Sequence, residues 1–207
     1  MKKIYIKKES GYTIIETMIA VSLFIIIVMA GTGALLNANL LHQKSQSMRS
    51  IIDNLSFMME DMSRNLRTGT SYHCITGGDS LPTASVSATK SCASGWGIAF
   101  EASGGDPANN NDQWVYYIGT NGVDSNIRIF KSVLGPSSLS NFVQLTPDEV
   151  TIDSISSGFS VLGAEPPSAG DQQQPFVTIH LVGTITFKNV VTPFSLQTSV
   201  SERLIDI

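Results

Sequence analysis

An apolar run near the N-terminus constrains this chain more than any other feature of its sequence. The run extends from Tyr12 to Leu36, contains no proline and carries one formal charge, that of Glu16. A helix of about 25 residues is roughly 37 Å long, which exceeds the roughly 30 Å thickness of the hydrocarbon core of a bilayer. Residues 12–36 therefore predict a helix that crosses a membrane.

The charges that flank this run predict its orientation. Four lysines lie within residues 1–11, and the next lysine is Lys44. Because positive residues are enriched on the cytoplasmic side of membrane helices, we expect the N-terminus on the inside of the cytoplasmic (inner) membrane. The bulk of the chain is then expected in the periplasm or outside the cell.

A signal peptide and a plain membrane anchor are two alternatives. A signal peptide has an apolar core of about 7–15 residues before a small-residue cleavage site. This run is longer, although Thr32-Gly33-Ala34 would serve as a poor site. A plain anchor leaves Glu16 unexplained, because a carboxylate in a membrane helix is costly and usually has a partner. Cleavage between Gly11 and Tyr12 would supply one, since the new α-amine would lie one helical turn from Glu16.

Residues 8–17 read Lys-Glu-Ser-Gly-Tyr-Thr-Ile-Ile-Glu-Thr, with a glycine, an aromatic residue and a glutamate in order before the apolar run. This order resembles the processing segment of type IV pilin-like proteins, which comprise pilins, minor pilins and the pseudopilins of type II secretion. The resemblance implies cleavage of the basic leader, residues 1–11, after Gly11 by a prepilin peptidase and N-methylation of Tyr12. It also implies filament assembly with other pilin or pseudopilin subunits, in which Glu16 guides the register by charge pairing. Residues 54–70 resemble the helix end of W-type and J-type minor pilins, and the C-terminal FSLQTSVSERLID resembles the terminal strand of minor pilins.

Residues 37–68 predict an amphipathic continuation of the same helix, because no proline occurs before Pro82 and apolar residues recur at helical spacing. Gly69 follows as an expected C-terminal cap. The expected apolar stripe consists of Leu41, Met48, Ile52, Leu55, Met59, Met62 and Leu66.

Residues 69–207 predict a β-rich globular head. Three short segments, 95–101, 113–119 and 126–133, are typical of strands between Gly, Asn and Asp turns. Two longer alternating segments run from Val177 to Phe187 and from Phe194 to Val200, with Pro193 and its neighbours as the expected turn. The predicted fold class is α+β and pilin-like, with a long N-terminal α-helix and an antiparallel β-rich C-terminal head.

The sequence contains two cysteines, Cys74 and Cys92, both expected in the loop after the helix. An oxidising compartment favours a disulfide between them, whereas a reducing one would leave two free thiols. Neither cysteine suits zinc, because no close cluster of ligands surrounds them.

Few residues point to chemistry of other kinds. Residues 78–81, Gly-Asp-Ser-Leu, match the nucleophile motif of GDSL-type esterases, but no Asp-x-x-His partner occurs anywhere in the chain. Residues 104–112 are rich in oxygen ligands and would suit calcium, yet they lack the Asp-x-Asp-x-Asp-Gly order, so we expect a polar turn there and predict no metal site. Trp96, Trp114, Tyr116 and Tyr117 could stack on a polymer, but core packing is the expected role of aromatic residues in strands.

The composition excludes several classes of protein. Charged residues are 14% and apolar residues 42% of the chain, and the net charge is −4, which argues against a disordered chain, a coiled-coil rod and a basic nucleic-acid binder. We therefore expect a structural minor pilin or pseudopilin without cofactor or catalytic activity. An adhesive or DNA-capturing tip pilin is the alternative, and a membrane-anchored enzyme is the third hypothesis.

Overall fold

The fold is described from a computed structural model of the chain. The structure describes residues 11–81, 86, 88–122, 124–170, 173–188 and 190–203. The predicted leader therefore lies outside the described residues, except for Gly11. The chain divides into two compact units, Met1–Gln46 and Ser47–Ile207.

One long helix, α1, extends over Ile14–Thr68 and contributes residues to both units. It begins two residues later than the predicted start at Tyr12. The reason is local, because the Thr13 hydroxyl accepts a hydrogen bond from the Glu16 amide at 3.4 Å and so caps the first turn. The helix ends at Thr68, as predicted from Gly69.

Within the first unit, the side chains of α1 are almost entirely exposed, and from Ile14 to Leu36 they are mostly apolar. Tyr12 is 83% exposed and Phe24 is 65% exposed. The helix is long and apolar enough to span a membrane, and none of its most apolar window is buried. Such a helix is compatible with a membrane anchor.

Within the second unit, α1 buries one face in the core of the head. The predicted stripe is confirmed from Leu55 onward, and Met48 packs against the same core. The prediction was wrong for Ile52, which is 42% exposed, because the buried face passes through Ile51 instead. The buried residues of the helix are Ile51, Leu55, Met58, Met59, Met62 and Leu66.

The head contains ten strands and two single-turn 3-10 helices in the part of the chain that the structure describes. The strands are β1 Thr70–Ile75, β2 Cys92–Gly95, β3 Gly97–Glu101, β4 Trp114–Gly119, β5 Arg128–Ser132, β6 Val143–Gln144, β7 Val150–Ile152, β8 Gly158–Leu162, β9 Phe176–Phe187 and β10 Val190–Ser201. The 3-10 helices are Leu139–Asn141 and Pro167–Ala169.

These strands form two five-stranded sheets. The first sheet has the order β1-β3-β4-β5-β6, and the second has the order β10-β9-β8-β2 with β7 also paired to β9. Every pairing between the named strands is antiparallel, which confirms the predicted α+β layout of a long helix and an antiparallel head. One core joins buried side chains of α1 to side chains from both sheets.

The two longest strands, β9 and β10, form a hairpin whose turn differs from the prediction. Pro193 lies inside β10, opposite Thr184, and the turn instead contains Lys188, whose φ is 46°. Because β10 is an edge strand of the second sheet, it tolerates a residue without an N–H group.

Contacts from the sheets hold the C-terminal end of α1. The buried Tyr72 hydroxyl lies within hydrogen-bond distance of the carbonyl oxygens of Leu66 and Gly69. The Arg203 amide, beyond the end of β10, donates to the Arg67 carbonyl at 2.9 Å. These partners satisfy carbonyl groups that a helix end leaves unpaired.

Candidate functional site

The predicted processing residues lie at the exposed start of α1. Gly11 and Tyr12 precede the helix, and Glu16 lies in its first turn. The Glu16 carboxylate accepts no hydrogen bond from any described residue, although its position near the helix N-terminus is favourable for a negative charge. Among the described residues, the Glu16 carboxylate is therefore available to a partner.

The two cysteines form a disulfide, as predicted, with their Cα atoms 5.9 Å apart. Their predicted location in a loop was wrong, because Cys74 lies in β1 and Cys92 begins β2. Since β1 belongs to the first sheet and β2 to the second, the disulfide joins the two sheets. Gly95 packs directly against it, and a Cβ at this position would collide with Cys74 Sγ and the Ile75 carbonyl.

The four aromatic residues considered for stacking belong mostly to the packed head. Tyr116 and Tyr117 are 0% and 5% exposed, which confirms their expected core role. Trp114 is half-buried, with Lys131 Nζ 4.2 Å from its ring centroid. Trp96 is also half-buried, and its Nε1 donates to the Thr76 carbonyl at 2.8 Å.

A polar network connects α1 to the first sheet beside these rings. Asn65 Nδ2 donates to Tyr116 Oη at 3.0 Å and to Asp61 Oδ2 at 3.1 Å. Lys131 Nζ lies 3.3 Å from the same Asp61 oxygen. Burial raises the pKa of the Tyr116 hydroxyl above its usual range, so it stays protonated. These contacts orient the helix on the sheet and leave few polar groups for a ligand.

The Gly-Asp-Ser-Leu motif lies in the loop after β1, beside a cavity of about 250 Å³ that His73, Asp79 and Ser80 help to line. The sequence did not predict the nearness of His73. Its Nδ1 donates to the Ala88 carbonyl, and its Nε2 has no hydrogen-bond partner, so no hydrogen bond joins the ring to Ser80. Asp79 binds Lys90 instead of the imidazole, at 2.7 Å. The described residues thus lack the hydrogen bonds that activate a nucleophile.

The Asp79 carboxylate is expected to make stability depend on pH. The hydrogen bond from Lys90, followed by the one from the Thr76 amide, lowers the pKa of Asp79 from 3.8 to about 2. A lowered pKa in the folded state adds stability above pH 4, and this contribution is lost as the pH falls to about 2. Asp79→Asn should lower the free energy of unfolding at pH 7 by about 0.5–1 kcal/mol, as is typical of a partly exposed ion pair.

Thermal unfolding of the full chain in detergent micelles, followed by circular dichroism between pH 7 and pH 2, measures this effect. The difference between Asp79→Asn and the wild type should close between pH 4 and pH 2. Glu60→Gln is the control, because Glu60 and its partner Arg64 are both highly exposed and their 3.2 Å pair should contribute little. A constant difference at every pH would contradict the assignment to the Asp79 charge.

The loop between β3 and β4 is the most unusual polar region of the head. Four residues at its ends carry buried side-chain oxygens without a hydrogen-bond partner, and we name them the acceptor cluster: Glu101, Asn110, Asp112 and Gln113. An unpartnered buried polar group costs about 1–3 kcal/mol. Residues 104–112 stand out in the sequence as oxygen-rich, whereas Glu101 and Gln113 do not, although an acidic residue at the end of an apolar strand is a visible signal.

Electrostatics within the acceptor cluster disfavour its negative charge. Burial raises the pKa of Glu101, and the nearby carboxylates of Asp112 and Asp106 raise it further. The neighbouring Gln113 side chain opposes this rise in the pKa of Glu101. Within the described ranges, no three His, Cys, Asp or Glu side chains are grouped closely enough to hold a metal ion.

Comparison with known proteins adds no relative. No protein-family model, no curated protein and no solved structure matches this chain.

Proposed function

We propose that this chain is a structural minor pilin or pseudopilin, a subunit of a type IV pilus or of a type II secretion-type filament. A prepilin peptidase cleaves it after Gly11, and it then assembles with other pilin or pseudopilin subunits through its N-terminal helix. The observation that carries the proposal is the order of Gly11, Tyr12 and Glu16 at the start of an exposed apolar helix.

The accessibility of the cleavage site supports processing. Gly11 and Tyr12 lie outside α1, and both are exposed. A peptidase needs an extended, accessible backbone, and residues before a helix offer it more readily than residues within one. The bond between Gly11 and Tyr12 is therefore a suitable substrate.

The exposed apolar surface of α1 supports assembly. Large apolar side chains from Ile14 to Met29 are exposed, and an apolar surface of this extent requires lipid or other proteins to cover it. The membrane covers it in the precursor, and neighbouring helices cover it in the filament. Lipid tails and neighbouring helices surround these side chains with equally apolar groups, so the exchange of one for the other supplies little hydrophobic driving force. Helix packing and charge pairing therefore direct the assembly.

Charge pairing gives Glu16 its role. A carboxylate among apolar side chains is costly unless a cation meets it. Cleavage creates such a cation, the α-amine of Tyr12, on this chain or on a neighbouring subunit. The pair forms only when the helices are in register, so it selects one arrangement of subunits.

Mass spectrometry of the protein from its native host tests the proposal. We expect the mature chain to begin at Tyr12 and to carry the mass of one added methyl group. Gly11→Val should retain the leader, because a side chain at this position obstructs the peptidase, whereas Thr13→Ser should be processed like the wild type. A native chain that begins at Met1, or within residues 30–39, would refute the proposal.

A further inference from the structure

The outer edge of β10 is a long strand edge without the usual protection. β10 lies at the edge of the second sheet and, among the described strands, pairs with β9 alone. Natural proteins protect such edges with charged side chains, bulges or short strands. β10 is uncharged, keeps one register with β9 throughout and is 12 residues long. An edge of this kind is a template for another strand.

The hydrogen bonds of β9 show which backbone groups of β10 are available. The Val182 carbonyl accepts from the Asp153 amide at 2.8 Å. The Thr186 amide likewise donates to the Glu149 carbonyl at 2.8 Å. Because backbone groups alternate between the two sides of a strand, odd-numbered residues of β9 face β10, where their partners are even-numbered. The amides that point to the free edge are therefore those of Val191, Ser195, Gln197, Ser199 and Ser201.

The available part of this edge has two limits. Pro193 occupies an outward position and offers no N–H group there, so its pairing with β9 loses nothing. At the other end, the amide of Arg203 donates to the Arg67 carbonyl at 2.9 Å, which closes the edge against the end of α1. Between these limits, the stretch from Ser195 to Ser201 has an outward amide at every second residue.

A groove lies beside the middle of this stretch. It has a volume of about 340 Å³ and separates α1 from β10. Met59 and Leu196 supply apolar surface, and Ser63 supplies a hydroxyl. Glu60 also lines the groove, but it is paired with Arg64 at 3.2 Å, so the pair adds no net charge. Because side chains of a strand alternate between its two faces, every second side chain of an added strand could enter this space.

The charges at the closed end of the edge indicate what kind of segment fits. Arg67 and Arg203 are both exposed, and their backbone hydrogen bond holds the two residues side by side. Neither guanidinium forms an ion pair with a described residue. The β10 strand of a second copy would bring no acid to them, because it is uncharged. A segment from another protein with acidic residues at this end matches both cations.

We propose that the outer edge of β10 binds an extended segment of a partner protein by strand addition. The segment is uncharged opposite Ser195–Ser201 and runs antiparallel to β10, which is the more stable pairing. Its N-terminal end carries acidic residues that meet Arg67 and Arg203. Main-chain hydrogen bonds to the outward groups supply affinity, and side chains in the groove beside Met59 supply specificity.

Fluorescence anisotropy of a synthetic peptide tests this pairing with the full chain in detergent micelles. The probe is an acetylated peptide that begins with two glutamates, continues with alternating threonine and valine, and carries fluorescein at its C-terminus. We expect saturable binding. Replacement of the glutamates by lysines should weaken it at least about fivefold, because like charges would then meet at Arg67 and Arg203. The double variant Arg67→Gln, Arg203→Gln should not distinguish the two peptides.

The variant Gln197→Pro separates strand addition from other modes of binding. It removes an outward N–H group and places a ring against the incoming strand, whereas the hydrogen bonds to β9 remain. Binding should therefore weaken at least about tenfold. Pro193→Ala is the matched control, because it adds an outward donor and should bind at least as tightly as the wild type. Circular dichroism checks that both variants fold.

Amide hydrogen exchange of the wild type gives a readout that needs no variant. The bound peptide should slow exchange at Ser195, Gln197 and Ser199. It should not affect Leu196 and Thr198, whose amides face β9. The absence of saturable binding, unchanged exchange at the outward amides, or equal binding by Gln197→Pro would overturn the proposal. Slow exchange at these amides without peptide, lost on dilution, would assign the edge to a second copy and would equally overturn it.

Discussion

Glu16→Ala is expected to leave membrane insertion intact and to reduce incorporation into filaments to about a tenth of the wild-type level or less. Removal of one partner from a desolvated ion pair typically costs about 3–5 kcal/mol, because the other charge stays buried and unpaired. In the filament that charge would be the α-amine of Tyr12. Insertion should persist, since alanine makes the segment from Tyr12 to Leu36 more apolar.

Quantitative immunoblots of membrane and sheared-filament fractions measure both quantities in the same cells. Glu16→Gln keeps the size of the side chain but removes its charge, so it should resemble Glu16→Ala. Thr17→Ala is the matched control on the same helical turn, where the lost hydroxyl only donates to the Ile14 carbonyl at 2.8 Å. Wild-type incorporation of Glu16→Gln would contradict charge pairing and leave helix packing as the determinant of register.

The parts of the fold that could be predicted are those in which a hydrophobic periodicity continues over many residues. The apolar and amphipathic halves of α1 and the alternation along β9 extend over many residues, so local errors average out. Even there, the phase of the buried face was off by one residue, because Ile51 and Ile52 are adjacent and equally apolar, and only the opposing sheets select between them.

Short elements could not be predicted in the same way. β2 has four residues, and its middle two, Ala93 and Ser94, are exposed, so no alternation marks it. β1 begins two residues after α1 ends, where the sequence resembles a loop. Both strands form because partner strands distant in sequence supply their hydrogen bonds. Because the two strands were not predicted, Cys74 and Cys92 were expected in a loop. Pro193 shows the converse, since a residue typical of turns occupies an edge strand.

The candidate sites also differ in how far the sequence alone can predict them. Gly11, Tyr12 and Glu16 form a contiguous motif, so the sequence alone suffices to locate them. The acceptor cluster depends on the register of β3 with β4, which brings Glu101 to the far end of the Asn-rich loop. A search for ligands at fixed spacing within residues 104–112 therefore misses both the buried glutamate and Gln113.

Loss of the disulfide is expected to destabilise the head by about 3 kcal/mol, because the bond closes a loop across 18 positions and restricts the unfolded chain. Both Cys74 and Cys92 are replaced by alanine in this experiment. Serine would place a buried hydroxyl at position 74, because Cys74 is 0% exposed. For a chain of this length, the unfolding midpoint should fall by about 6–12 °C. Circular dichroism of the full chain in detergent micelles measures this shift.

The reductant dithiothreitol provides the matched comparison. It should lower the unfolding midpoint of the wild type toward that of the double alanine variant and leave the variant unchanged. Because the bond links β1 of the first sheet to β2 of the second, its loss should also accelerate hydrogen exchange at the amides of β2, whose other partner is β8. A variant that melts at the wild-type temperature would mean that the core shared by both sheets already holds them together, and that the bond adds nothing to the folded head.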